Sequence, residues 1–168
     1  MTLRPRRKGS TLGEFEDPLS NYDEPTYADE LERAMAEDTM AAMVTTPVTT
    51  VSADTSVQEV LRMMIELDIA CMLVTEQEHL LGIFSERDVL TKVAGDYAKV
   101  KDKPIRDVMT TGPVVVYETA SPAKALNLMA VGGFRHVPIL DVDDKVVGIV
   151  GPRRVTHYLQ QLIEKHKP

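Results

Sequence analysis

The sequence contains little of what several classes of protein require. It has no tryptophan, aromatic residues make up 5% of it, and Cys71 is its single cysteine. One thiol cannot form an internal disulfide or a multi-thiolate metal site, which indicates a reducing, cytoplasmic location. The few aromatic side chains exclude a stacking surface for single-stranded nucleic acid. No apolar run approaches the ~20 residues that a membrane-spanning helix needs, so we expect no membrane insertion.

Acidic residues outnumber basic ones, at 26 against 19, and the net charge is -7. This balance argues against nucleic acid and acidic membranes as partners. The charges are unevenly placed, because residues 1–8 are basic whereas residues 9–40 carry ten acidic residues and a single arginine. The basic octet is interpreted as solvated, with contact to an anionic partner as the alternative.

The first 26 residues have few large apolar side chains and several prolines and glycines. Such a segment buries too little surface to offset its ordering entropy, so residues 1–26 are predicted to form a flexible acidic tail. Apolar residues then recur at helical spacing and predict a short lead-in helix within residues 27–42, through Tyr27, Leu31, Ala34 and Met35.

An internal repeat follows. Identical residues recur at a constant offset of 66 positions, as in the pairs Met43 and Met109, Pro47 and Pro113, and Gly82 and Gly148. A gapless offset over this span indicates two copies of one small unit. The predicted domains are therefore repeat 1, residues 43–99, and repeat 2, residues 100–168 with a terminal helix.

Each repeat has the pattern of a β-α-β-β-α unit. Apolar runs predict its strands at 47–51, 70–74 and 80–84 in repeat 1, and at 113–117, 137–140 and 146–150 in repeat 2. Thr55 and Ser121 are the predicted N-caps of the first helices. One unit has little core of its own, so the predicted fold class is α+β, with the two repeats packed through their sheets.

The stretch Gly82-Ile83-Phe84-Ser85-Glu86-Arg87-Asp88 has a glycine, two residues, a serine, two residues and an aspartate. With a second copy 66 residues later and Pro-Val at the start of both, the chain resembles a stand-alone pair of CBS domains, also called a Bateman module. The resemblance covers about residues 40–160.

The resemblance implies one adenosine-binding site between the repeats. Asp88 would accept hydrogen bonds from a ribose, in the way that an acid contacts the sugar in dinucleotide sites, and Phe134 would cover the base. The full set of expected binding residues is Ile83, Ser85, Arg87, Asp88, Thr111, Pro113, Val114, Phe134, Arg135 and His136.

Structural roles are the alternatives for the same side chains. In this interpretation Ser85 and Asp88 are helix caps, Phe134 is a core residue, His136 is a structural hydrogen-bonding group, and Arg87 is the partner of a surface acid.

The second copy departs from the pattern, because Gly151 and Arg154 stand where Ser85 and Asp88 would recur. An arginine cannot accept a hydrogen bond from a ribose hydroxyl. The facing wall would consist of Thr45, Pro47, Val48, Asp68 and Ile69. We expect this second pocket to hold no nucleoside, or an anion on Arg153 and Arg154.

The sequence carries no phosphate-binding loop with lysine, no His-Glu-x-x-His and no Gly-x-Ser-x-Gly, so we expect neither an enzyme nor a metal site. The resemblance implies a regulatory module that binds AMP, with ATP, ADP or S-adenosylmethionine as alternative ligands, and acts on an effector protein. A homodimer is expected. The alternatives are a dimerisation or scaffold protein with a vestigial pocket and, less favoured, an enzyme of unrecognised type.

Overall fold

The computed structural model describes residues 25–44 and 48–165. All but the last two residues of the predicted tail, and the predicted pocket residues Thr45 and Pro47, lie outside these ranges. The helices are α1 (Glu30–Glu37), α2 (Val57–Glu66), α3 (Glu86–Asp88), α4 (Tyr97–Val100), α5 (Pro122–Gly132) and α6 (Pro152–Lys165). The strands are β1 (Thr50–Ser52), β2 (Cys71–Glu76), β3 (His79–Ser85), β4 (Thr110–Thr111), β5 (Val116–Tyr117), β6 (Val137–Leu140) and β7 (Val146–Val150).

The chain forms two sheets, one for each repeat, and the first sheet also includes β4, which lies within the residues predicted for repeat 2. In repeat 1 the strand order is β1-β2-β3-β4, with β1 and β2 parallel and the other pairs antiparallel. In repeat 2 the order is β5-β6-β7, again with a parallel pair followed by an antiparallel one. The predicted α+β fold with two β-α-β-β-α units is therefore confirmed.

The boundaries of several elements differ from the predictions. The first strand of repeat 2 is only β5, because Gly112 turns the chain with a φ of 56° and Pro113 has no N–H for a ladder. The N-cap predicted at Thr55 is wrong by one residue: Ser56 accepts from the Glu59 N–H at 3.3 Å. The cap at Ser121 is confirmed, since its side chain accepts from the Lys124 N–H.

The lead-in helix packs on the distant repeat rather than on the one it precedes. α1 begins after Asp29, whose carboxylate accepts from the Glu32 N–H at 2.8 Å, and it contacts α5 and α6. The following 3₁₀ turn, Met40–Met43, places two buried methionines in the core of repeat 2. The Met40 N–H donates to the Ala120 carbonyl at 2.8 Å.

Residues 101–111, here called the linker, precede the sheet of repeat 2 and make the reciprocal contact with repeat 1. Ile105 and Val108 are buried in the core of repeat 1, and the Ile105 N–H donates to the Thr55 carbonyl at 2.8 Å. Each repeat is thus completed by the segment that precedes the other one. A smaller apolar cluster of Cys71, Leu73 and Ile83, with partly buried Val146 and Ile149, joins the two sheets.

Gly82 is required where the linker meets the sheet of repeat 1. It pairs with Thr111 across β3 and β4. A Cβ at this position would lie 2.7 Å from both the Met109 sulfur and the Thr110 carbonyl oxygen. The close approach of β4 to β3 therefore depends on glycine at residue 82.

Candidate functional site

The candidate site is built around the carboxylate of Asp88, at the end of β3 where the chain turns into α3. Asp88 is the one charged residue that is buried among the described residues, and 5% of its surface is exposed. Its Oδ2 accepts from the Ser85 backbone N–H at 2.9 Å and from the Ser85 hydroxyl at 2.8 Å. Ser85 and Asp88 thereby form a capping box at the start of α3.

The other carboxylate oxygen contacts the linker that leads into repeat 2. Asp88 Oδ1 accepts from the Thr110 hydroxyl at 2.8 Å and pairs with Lys92 Nζ at 2.7 Å. Thr110 belongs to β4, so this carboxylate ties the α3 turn of repeat 1 to the strand that leads into repeat 2. Burial alone would raise the pKa of Asp88, but hydrogen bonds from Lys92, Ser85 and Thr110 outweigh it and hold the pKa below its usual value.

Sequence reasoning missed both Lys92 and Thr110. Lys92 lies one helical turn beyond Asp88, a spacing at which opposite charges meet, so the sequence itself indicates this ion pair. Thr110 becomes a neighbour only through the pairing of Ile83 with Thr110 across β3 and β4, which is a tertiary fact.

The remaining expected residues fall into two groups. Ile83 pairs with Thr110 across β3 and β4, and Thr111 pairs with Gly82, while the half-buried Pro113 and the exposed Val114 follow after Gly112. Arg87 is exposed on α3, one residue before Asp88. This first group lies around the junction of the two repeats.

The second group precedes β6 in repeat 2. Phe134 is 39% exposed, and its ring lies against Gly132, where a Cβ would be only 2.1 Å from the ring. Arg135 is exposed and His136 is half-buried. His136 packs against Gly151 and lines a large cavity, to which none of the other nine expected residues contributes.

That cavity has a volume of about 1660 Å³ and lies between the repeats, at the start of α6. It brings together the described members of the second predicted pocket, which are Val48, Asp68, Ile69, Gly151, Arg153 and Arg154. Apolar side chains of α2 and of the π-helical turn Val89–Val93, among them Leu61, Ile65 and Leu90, complete its wall. The prediction that this pocket holds no nucleoside stays a prediction.

Gly151 stands where Ser85 would recur, and this glycine leaves room for the side chain of His136. A Cβ on Gly151 would lie 2.8 Å from the His136 ring, so the histidine takes up space that a serine here would need. Burial lowers the pKa of His136 below its usual value, while the nearby Glu86 charge opposes that shift. At the cavity mouth, Arg153 and Asp68 approach to 3.9 Å with both side chains almost fully exposed, so this ion pair contributes little to stability.

The wall of the cavity includes the thiol of Cys71. Burial, aided by the Asp88 charge, raises the pKa of the Cys71 thiol to about 12, so it is protonated and unreactive at neutral pH. Within residues 25–44 and 48–165, no three His, Cys, Asp or Glu side chains gather in a way that would hold a metal ion. None of the helices in those ranges combines the length and the hydropathy of a membrane span.

Comparison with known proteins identifies the repeats. The family model of the CBS domain matches residues 40–95 and 105–161. The CBS domain-containing protein CBSCBSPB1 of Arabidopsis thaliana is 28% identical over 134 residues, which cover 79% of this chain and 25% of that protein. The chain thus spans about a quarter of this relative, and the match spans 17% of each of two further Arabidopsis relatives.

Solved structures share the fold. CBSX2 in complex with AMP is 26% identical, with a TM-score of 0.65 over 74% of this chain and 97% of that one. The CBS domain pair of protein MJ0100, in complex with 5′-methylthioadenosine and S-adenosylmethionine, is 21% identical, with a TM-score of 0.63 over 71% of this chain and 97% of that one.

Proposed function

This chain belongs to the CBS domain family and carries two copies of the domain, and from that premise we propose that it is a non-catalytic regulatory module whose ligand is an adenosine compound. The observation that carries the proposal is the buried Asp88 carboxylate at the junction of the repeats. AMP is the first candidate, with ADP, ATP and S-adenosylmethionine as alternatives. The AMP complex of CBSX2 and the S-adenosylmethionine complex of MJ0100 support this class of ligand.

The proposed binding mode follows from the chemistry of the residues around Asp88. An ionised carboxylate is an acceptor only, so it suits the two hydroxyls of a ribose, and the lowered pKa keeps it ionised at neutral pH. The accessible ring of Phe134 offers an aromatic surface for the base. Arg87 and Arg135 are exposed guanidinium groups that suit a phosphate.

Signalling requires that the ligand distinguish two arrangements of the repeats. A ligand shifts a conformational equilibrium only by its difference in affinity for the two states. Asp88 is bonded to Thr110 of the segment entering repeat 2, so a ligand on this carboxylate acts at the junction. We propose that occupancy changes the packing of the repeats and that an effector protein senses the change, in a cytoplasmic setting.

A second candidate function is a dimerisation or scaffold role with a vestigial pocket. The specific observation in its favour is that four donor groups of the chain itself already occupy the Asp88 carboxylate. Ile65 and Leu90 are also 81% and 74% exposed at the mouth of the cavity, and large exposed apolar side chains are typical of interfaces. A homodimer fits both candidate functions.

Calorimetric titration with AMP, ADP, ATP and S-adenosylmethionine separates the two. The regulatory proposal predicts saturable binding of at least one of them, weakened about tenfold or more in Asp88→Asn, because hydrogen bonds to a charged acceptor are worth about 1.5–3 kcal/mol each. Arg154→Ala is the matched control and keeps the affinity of the unmodified protein. No binding of any of the four at millimolar concentration favours the scaffold role instead.

A further inference from the structure

The ammonium group of Lys92 lies close to four acceptor atoms. Its Nζ lies 2.7 Å from Asp88 Oδ1, 3.0 Å from the Val108 carbonyl oxygen and 3.2 Å from both the Met109 carbonyl oxygen and the Thr110 hydroxyl. The lysine therefore connects the turn after Asp88 to the segment 108–110, which enters repeat 2. Lys92 belongs to none of the residue sets expected to bind ligand.

The Asp88 carboxylate has no acceptor capacity left in this arrangement. A carboxylate offers about four lone-pair positions. Here the Ser85 N–H and hydroxyl occupy Oδ2, and the Thr110 hydroxyl and Lys92 occupy Oδ1. A ribose hydroxyl that donates to Asp88 must therefore replace one of these four groups.

Lys92 is the donor that is most easily replaced. The two Ser85 groups form the cap of α3, and Thr110 lies on β4, which is paired to β3. The Lys92 side chain is 39% exposed and flexible, so its ammonium can turn into water at small cost. The Asp88 side chain is only 7% exposed and stays in place.

We propose that Lys92 occupies the Asp88 carboxylate in the unliganded chain and is displaced from it when the ribose of an adenosine ligand binds. The proposal rests on the function proposed above and adds a means of regulation to it. Displacement also releases the lysine from the Val108 and Met109 carbonyls. Because the segment 108–110 leads into repeat 2, binding at Asp88 then removes the lysine bonds that hold this segment to repeat 1.

Acylation of lysines, quantified by peptide mass spectrometry with and without saturating AMP, tests the displacement. We expect the acylation rate of Lys92 to rise severalfold when AMP is bound, and that of Lys99, whose side chain is 78% exposed, to stay unchanged. Asp88→Asn should raise the Lys92 rate without AMP. An unchanged or lower Lys92 rate in a sample that calorimetry shows to be saturated overturns the displacement alone. If AMP does not bind but another of the four adenosine compounds does, that compound replaces AMP in the experiment. Absence of binding of all four overturns this inference together with the proposed function.

Two lysine substitutions provide a second, independent readout. Lys92→Met keeps most of the side-chain volume and removes the competing ammonium, so AMP should bind about two- to fivefold more tightly. Lys101→Met is the matched control, because the Lys101 side chain is 40% exposed and lies 3.9 Å from Asp102, and its AMP affinity should not change. Weaker AMP binding by Lys92→Met overturns the proposal, since it means that the lysine contacts the bound ligand. Thermal unfolding of both variants confirms that each is folded.

Discussion

Substitution of Gly82 by alanine tests whether β4 approaches β3 as closely as it does in the structure. The new Cβ would lie 2.7 Å from the Thr110 carbonyl oxygen, where ordinary contacts begin at 3.4 Å. The obstacle is backbone, so β4 must move away by about 0.7 Å or the sheet must deform. Overpacking of this kind costs about 1–3 kcal/mol.

The alanine also reduces the entropy of the unfolded chain, which returns about 0.4–1 kcal/mol. The net loss in the free energy of unfolding should therefore be about 1–2 kcal/mol, or about 2–8 °C in Tm for a chain of this size. Urea unfolding followed by circular dichroism measures it. We expect Gly82→Ala to unfold at a lower urea concentration than the unmodified protein.

Gly95→Ala is the matched control. No heavy atom lies within 4 Å of a Cβ at residue 95, and its φ is not in the left-handed region. Its stability should be unchanged or slightly raised. If Gly82→Ala is as stable as Gly95→Ala, β4 is not held against β3, and the placement of Thr110 beside Asp88 is wrong.

Two further predictions concern the core and the pH dependence. Ile105→Ala should lower the free energy of unfolding by about 2–5 kcal/mol, because Ile105 is fully buried in repeat 1 although it lies in the linker; a loss as small as that of the exposed Ile65→Ala would contradict this packing. Because the pKa of Asp88 is lowered in the folded chain, its stabilisation is complete above the unfolded value of about 4 and is lost as the pH falls through the folded value. The difference in unfolding free energy between the unmodified protein and Asp88→Asn, measured in urea, should thus shrink between pH 5 and pH 3, and a constant difference would refute the ionised, hydrogen-bonded carboxylate.

Local sequence patterns predicted the repeating unit well. The 66-residue offset identifies two copies, and the strands predicted at 137–140 and 146–150 coincide with β6 and β7. The capping role of Ser85, considered as an alternative to a ligand contact, is present in the structure. These features depend on neighbouring residues, which is why periodicity and cap chemistry are enough to find them.

Contacts between residues that are distant in the sequence could not be predicted from local patterns. Nothing in residues 40–43 indicates that their methionines complete the core of repeat 2, because the exchange of segments depends on how the repeats meet. The large cavity around Gly151 also forms only where the two repeats pack together. The expected nucleoside site lies elsewhere, at Asp88. Whether the ten expected residues bind ligand stays a prediction.

A crystal structure of the protein grown with AMP would show where the ribose binds. We expect a ribose hydroxyl within hydrogen-bond distance of an Asp88 carboxylate oxygen, with the Lys92 ammonium turned away from that oxygen. A nucleotide bound only in the cavity beside Gly151 and Arg154, with the Asp88 contacts intact, would contradict this expectation.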